Sequence, residues 1–400
     1  MTVKKSSKIL YVTACLDEGW PGGEPIVAHS TIRFLKSVGH NVVATFYKSN
    51  SFKPFVNLTG LWRSRLDSSD SFTLSFKYYK KIIKKEKPDI IMSQYDYDCS
   101  IIKAATVRKK NIIVYVHIWW PICPKITLLN WKRERCSGFM FNDCGYCLKN
   151  SGEPTSLKFR IFNLLLMFLS KGNNVRKKMQ KRIELLNSSN VTIIALTTQM
   201  KEKFVQNGLS AEKIKILPNG IDTEEFSPRN VSREKIVGYY GGESYTKGYK
   251  EFFKIAEIIK KNYPDIHFVA TGNFKTKPFF IDFLGLVDRD VFSSLLARSM
   301  CTVIPSIWEE PFPAIALESL ASGTPPVAFD VGTLKSIIID GQNGFIVPVM
   351  AIDEIVDRIV KILTNDELFS KLSENSRRLA YEYTEEKRTA SLMNIINDHL

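Results

Sequence analysis

Short apolar runs alternate with helix-compatible stretches along almost the whole chain. In the first half they are Lys8–Val12, Val42–Thr45, Pro88–Met92, Ile112–Val116, Val191–Leu196 and Ile214–Leu217. In the second half they are Lys235–Tyr240, His267–Ala270, Met300–Ile304 and Val327–Phe329. A strand that is apolar on both faces must be covered on both faces, which is the situation of a parallel sheet flanked by helices. Strand, loop, helix, strand is then the repeating unit. It restarts after Pro218–Phe226, a turn-rich segment that reads as a linker. The fold class is therefore α/β, and 400 residues suit two domains with ample cores. The expected domains are residues 1–216 and 217–382.

The charge is placed unevenly. Of 56 Lys and Arg and 41 Asp and Glu, residues 1–215 hold 36 and 15, leaving 20 and 26 for the second half. Such asymmetry points to an anionic partner for the first half. Nucleic acid is one candidate, but no helix-turn-helix, RNA-binding or zinc-finger pattern occurs, and none is expected as a partner. Anionic lipid headgroups or a phosphorylated acceptor fit better. The segment Leu157–Arg182 adds an apolar and basic, helix-compatible stretch, which is either an interfacial helix or a buried packing helix. Residues 50–75 are polar and poorly periodic and read as an excursion from the fold. No run of 18 apolar residues occurs, and the polar, basic start is unlike a signal peptide, so a cytoplasmic protein is expected, peripheral at most on the inner membrane face. The sequons at Asn57, Asn187, Asn190 and Asn230 are then chance matches.

The most informative stretch is Pro305–Ala328. It follows a buried strand, and Ile315, Ala316, Leu317, Leu320 and Ala321 recur at helical spacing before Gly323. Glu310 thus falls on a strand-to-helix loop, with Glu318 about two turns into the helix. Loops at the carboxyl ends of parallel strands form the ligand crevice of open sheets, and helix-start amides suit an electron-rich ligand. Gly22-Gly23, after the first strand, and Gly241-Gly242, after Lys235–Tyr240, would let backbone approach a phosphate or sugar. His117 stands at the end of another strand, where it is a candidate catalytic group or a structural one.

Glu-x7-Glu, with Pro-Ser before it and Ala-Ser-Gly-Thr-Pro after it, resembles the signature of family-4 retaining glycosyltransferases of the GT-B fold. The Gly-Gly loop, Gly-His-x-Val after the first helix, Pro-Asn-Gly-Ile-Asp and the Lys247-Gly248 pair match as well. The resemblance implies two doubly wound, Rossmann-like domains facing across a cleft, with the last helix, 383–400, packing back on the first. It implies a hexosyltransferase that moves a sugar from a nucleotide-sugar donor to a glycan or lipid-linked acceptor with retained configuration. Glu310 would contact the transferred sugar, Glu318 would hold the ribose hydroxyls and Lys247 would neutralise the diphosphate. Gly272 and Val287 would lie near the nucleotide, and amides near Phe312 and Ala314 would face the sugar. No metal is implied for catalysis. Three departures stand out: Ile118 replaces the usual acid after His117, Gly242 a frequent Arg, and Pro313 a frequent Gly. A nucleotide-sugar epimerase of the same fold is the rival enzyme, and a non-enzymatic polybasic membrane-binding protein the rival of another class.

Four cysteines crowd the stretch after His117: Cys123, Cys136 and the C-x2-C pair Cys144 and Cys147. Their spacing suits a structural zinc, and disulfides or unlinked thiols are the other readings. The likeness to family 4 covers nearly the whole chain apart from residues 50–75 and this insertion, and a subset of that family carries a similar one.

Overall fold

The computed structural model describes residues 6–13, 23–45, 69–94, 97–150, 173–227 and 231–400. The chain divides into two compact units, residues 1–217 with 389–400, and residues 218–388.

The first unit is built on β1 (Lys8–Val12), β2 (Asn41–Thr45), β3 (Ile90–Ser93), β4 (Ile112–Val116), β5 (Val191–Ala195) and β6 (Ile214–Ile216). They form one parallel sheet in the order β2-β1-β3-β4-β5-β6. Every residue of β3, β4 and β5 is buried, as expected of strands covered on both faces. Its helices are α1 (Gly23–Ser37), α2 (Ser69–Glu86), α3 (Ser100–Val107), α4 (Cys144–Asn150), α5 (Asn173–Leu186) and α6 (Thr198–Gln206). Thr197 opens α6 with its hydroxyl accepting from the Met200 amide, an N-cap worth about 1 kcal/mol. The chain's tail closes on the same unit: Thr192 Oγ1 meets His399 Nε2 at 2.9 Å.

The second unit contains β7 (Glu234–Tyr239), α7 (Tyr249–Asn262), β8 (His267–Thr271), β9 (Asp282–Gly285), α8 (Arg289–Arg298) and β10 (Ser299–Ile304). After these come α9 (Ala314–Ala321), β11 (Pro326–Phe329), β12 (Phe345–Val347), α10 (Ile352–Thr364), α11 (Asp366–Ala380) and the start of α12 (Glu385–Asn397). Its sheet is parallel with the order β12-β11-β10-β7-β8-β9. Phe252, Ile255, Ala256 and Ile259 on α7 are all buried, the i, i+3, i+4, i+7 stripe of a helix lying on a sheet. On α10 the stripe is Ile352, Ile355, Ile359 and Ile362.

Each sheet has one place where the chain reverses its direction of travel across the strands. In the first unit it lies between β1 and β3, and in the second between β7 and β10. These are the positions at which open α/β sheets bind ligands, beyond the carboxyl ends of the strands.

Candidate active site

In the second unit, Lys247 comes from the loop after β7 and Glu310 from the loop after β10, so both flank the switch point. Lys247 Nζ donates to Glu310 Oε1 at 2.8 Å and to Oε2 at 3.0 Å. Ser306 Oγ donates to the same Oε1 at 2.6 Å. Glu310 is 1% exposed, whereas the Lys247 side chain is 34% exposed, so the acid is fixed from below and the cation looks outward.

The backbone explains how two loops come this close. A Cβ on Gly248, which has φ +77°, would lie 1.8 Å from the Pro305 carbonyl oxygen. The Ile307 amide donates to Thr246 O at 3.0 Å, pinning the two loops together. From the other side, a Cβ on Gly332 would fall 2.1 Å from Glu310 O, and the Thr333 amide donates to that oxygen at 2.9 Å. Only glycine fits at either place. The loops of β7 and β8 also touch, since a Cβ on Gly272 would meet Gly242 Cα at 2.7 Å. Gly241, Gly242, Gly272, Lys247 and Glu310 therefore share one rim. Trp308 belongs to it too: Lys247 Nζ lies 5.2 Å from its ring centre, and its buried indole Nε1 finds no acceptor among the described residues.

Helix α9 begins at Ala314 with no side chain capping it, which leaves its first amides to a ligand. Glu318 is only four residues in, just past the first turn rather than two turns along. Phe312 is buried and its ring lies 6.0 Å from that of Tyr383, so only its backbone can meet a ligand. Val287 follows β9 and is half-buried.

Glu318 is held by Arg289, which the sequence did not single out. Arg289 Nη1 donates to Glu318 Oε1 at 3.0 Å and Arg289 Nε to Glu225 Oε1 at 2.5 Å, with Phe226 4.8 Å from the guanidinium. Burial pushes the Glu318 carboxyl above its ordinary range, against the opposing pull of Arg289. The linker motif thus acts locally, because its Glu225 and Phe226 seat the arginine that orients Glu318.

In the first unit, His117 follows β4, is buried, and stacks on Tyr115 with ring centres 4.6 Å apart. Gly23 is the first residue of α1, and Gly22 lies outside the described residues. Gln94 stands directly after β3, beside that sheet's switch point. It is 3% exposed, and among the described residues neither its Oε1 nor its Nε2 has a hydrogen-bond partner. Buried amides are otherwise paired, so Gln94 joins the candidates. Its place two residues beyond the apolar run Pro88–Met92 was the signal available in the sequence.

Cys123, Cys136, Cys144 and Cys147 all line one cavity of about 140 Å³, together with Lys125, Trp131 and Tyr146. No disulfide joins them. As the side chains stand, no three His, Cys, Asp or Glu groups among the described residues are arranged to hold a metal ion. Burial pushes the Cys123 thiol up to about 11. Cys99 and Cys301 are buried elsewhere.

Two family models match the chain: Glycosyltransferase Family 4 over residues 21–225, and Glycosyl transferases group 1 over residues 220–379. Among curated proteins, a glycogen synthase of Mycobacterium tuberculosis is 27% identical over 171 residues, covering 38% of this chain and 41% of that protein. The match thus spans less than half of that relative's length. Among solved structures, sucrose-phosphate synthase from Thermosynechococcus elongatus superposes with a TM-score of 0.69 at 15% identity over 98% of each chain. HepE of Anabaena, solved with UDP-glucose, gives a TM-score of 0.64 at 14% identity, covering 98% of this chain and all of that one. At such identities these two likenesses concern the fold.

Proposed function

The chain belongs to Glycosyltransferase Family 4, and from that premise we propose that it transfers a hexose from a nucleotide-sugar donor to a glycan or lipid-linked acceptor with retention of configuration. The observation that carries the reading is the buried Glu310 bridged to the outward-facing Lys247 at the switch point of the second sheet. A leaving diphosphate gains negative charge as the glycosidic bond breaks, and a fixed cation there stabilises the transition state more than the ground state. Lys247 is that cation, aided by the uncapped amides of α9. Glu310 faces the transferred sugar, and Glu318 accepts hydrogen bonds from the ribose hydroxyls. The diphosphate oxygen on the attacked face takes the acceptor's proton, so no protein nucleophile is needed.

UDP-glucose, the nucleotide sugar named for the Anabaena structure, is the first donor to test. Transfer to an acceptor with the anomer read by NMR supports the proposal. Epimerisation of the donor without acceptor, or donors left intact across a panel of nucleotide sugars, would refute it.

Glu318→Ala is expected to weaken nucleotide binding by about 1.5–3 kcal/mol, the value of hydrogen bonds to a charged acceptor. Arg289→Ala should weaken it less, because it removes the support and not the acceptor. Since the Glu318 carboxyl titrates above its ordinary range, nucleotide affinity should fall as pH is lowered and this group protonates. Calorimetry of UDP binding checks all three, and unchanged affinity in Glu318→Ala would remove Glu318 from the site.

A lipid-linked acceptor requires docking on an anionic membrane. Its support among the described residues is the basic surface of the first unit: Lys77, Lys81, Lys84 and Lys85 are exposed on α2, and Arg176, Lys177 and Lys181 on α5. The apolar residues 157–172 lie outside the described residues, and among the described ones no helix is long and apolar enough to cross a membrane. Each basic residue at an anionic surface contributes about 1 kcal/mol, and salt screens it. Vesicle co-sedimentation should show binding to anionic but not neutral lipid, reduced by salt and by Arg176→Glu with Lys177→Glu. Equal binding to both lipids, or none, would end the docking idea and leave the transferase reading untouched.

A further inference from the structure

We propose that Cys123, Cys136, Cys144 and Cys147 bind one Zn²⁺ as a tetrahedral thiolate set, a structural site that fixes the segment leaving His117. All four residues line the same cavity although they come from three separate pieces of chain. Cys123 closes the turn that begins at Trp119, its amide donating to Trp119 O at 2.8 Å. Cys136 follows the isolated bridge between Leu129 and Arg135, and Cys144 and Cys147 sit three residues apart on α4. Residues three apart on a helix share a face.

The surroundings are those a bound thiolate needs. The Gly138 amide donates to Cys136 Sγ at 3.4 Å. Such a bond orients metal-bound sulfur and spreads its charge. Four thiolates around Zn²⁺ carry a net charge of about −2, and Lys125 reaches into the same lining, its Nζ donating to Leu129 O and Asn130 O at 3.0 and 3.2 Å.

The backbone supplies an independent sign. Ile126, Leu128 and Arg133 have φ of +62°, +50° and +70°, the left-handed region that non-glycine residues avoid at about 1–2 kcal/mol each. Three within one short loop persist only when the surroundings fix them. Yet between β4 and α4 the regular pairing is confined to the one Leu129–Arg135 bridge. A structural metal is one device that fixes such a stretch.

Zinc–sulfur bonds of about 2.3 Å place the four sulfurs about 3.8 Å apart. The thiols do not stand in such a set, so binding turns them inward across the cavity as each gives up its proton to solvent. Four protons leave for one Zn²⁺ bound. The ion makes no contact with substrate in this role. It holds the chain beyond Trp119 and Trp120, both fully buried, and so fixes the strand end that carries His117.

Protein purified without added zinc should contain about one equivalent by atomic emission. Its four insertion thiols should resist a thiol reagent until a chelator is added, with zinc release tracking their reaction. Cobalt exchanged into the wild-type protein should show the charge-transfer and intense ligand-field bands of a tetrahedral thiolate site. Cys136→Ser and Cys147→Ser should each lose the metal, and the cobalt spectrum keeps the test valid should these variants fold poorly. Substoichiometric metal with the four thiols reactive at once, a disulfide detected among them, or cobalt without thiolate bands would each overturn the site.

Discussion

Glu310→Gln is expected to lower sugar transfer roughly 100-fold or more while the protein stays folded and still takes up nucleotide. The substitution keeps shape and an acceptor oxygen, so Ser306 and Lys247 can still donate to the side chain. What disappears is the negative charge facing the sugar, where positive charge develops as the glycosidic bond breaks. Lys247→Ala should behave differently. It leaves Glu310, at 1% exposure, with Ser306 as its remaining side-chain donor. Removing one partner of a buried pair costs about 3–5 kcal/mol. Because the Lys247 side chain is 34% exposed, solvent screening places this case well below that range. Nucleotide affinity should fall as well, since the diphosphate loses its cation. The diagnostic is therefore a split: turnover alone falls for Glu310→Gln, whereas turnover, affinity and melting temperature all fall for Lys247→Ala. Wild-type turnover in Glu310→Gln would make Glu310 a structural acid.

Glu310 was legible because it lies on the loop six residues beyond a strand's carboxyl end, and Lys247, eight residues beyond another, because the Lys-Gly pair resembles the family's. A parallel sheet carries all such ends to one edge, and the strand runs are easy to see. Glu318 was legible as a position but not as an environment. Its partner Arg289 is 29 residues away, and the Glu225 that seats this arginine is 64 residues further off. Pairings at such separations depend on how strands are ordered in the sheet, which apolar periodicity does not encode. The start of α9 was misplaced for a local reason. Proline suits a first helical position, but Pro313 takes an extended conformation as the cap, so the helix begins at Ala314.

Gln94 escaped notice because a single amide beyond a strand has no pattern. Its significance comes from burial without partners, which only coordinates reveal. The cysteines present the reverse case. Their number and spacing were plain, and the structure adds their convergence on one cavity from both sides of a loop whose backbone is held in unusual conformations.

Arg233→Ala should be among the most destabilising single changes in the second unit, costing on the order of 3–5 kcal/mol. Arg233 precedes β7, and Nη1 donates to Leu296 O at 3.2 Å, Ser299 O at 2.8 Å and Thr324 Oγ1 at 2.8 Å. Nη2 donates to Ser322 O at 2.5 Å and Gly323 O at 3.1 Å. The carbonyls of Leu296, Ser322 and Gly323 lie at or just beyond the carboxyl ends of α8 and α9, where the helix dipole is negative. One cation therefore satisfies the ends of two helices, and burial with the nearby Arg377 charge draws it down to about 10, still protonated at neutral pH. Its removal strands several of these carbonyls, at about 1–3 kcal/mol for each left unpaired. Arg233→Lys should recover only part, because an ammonium cannot reproduce the fork. The loss should reach the active site, since α9 carries Glu318 and is tied to β10 through Ser319 Oγ and Thr302 Oγ1 at 2.7 Å. For a unit of this size the melting temperature should fall by roughly 6–20 °C, and saturating nucleotide should restore part of it by binding the folded form. A melting temperature within about 2 °C of wild type, below the shift expected for 1 kcal/mol, would show that water replaces the guanidinium at these carbonyls without loss.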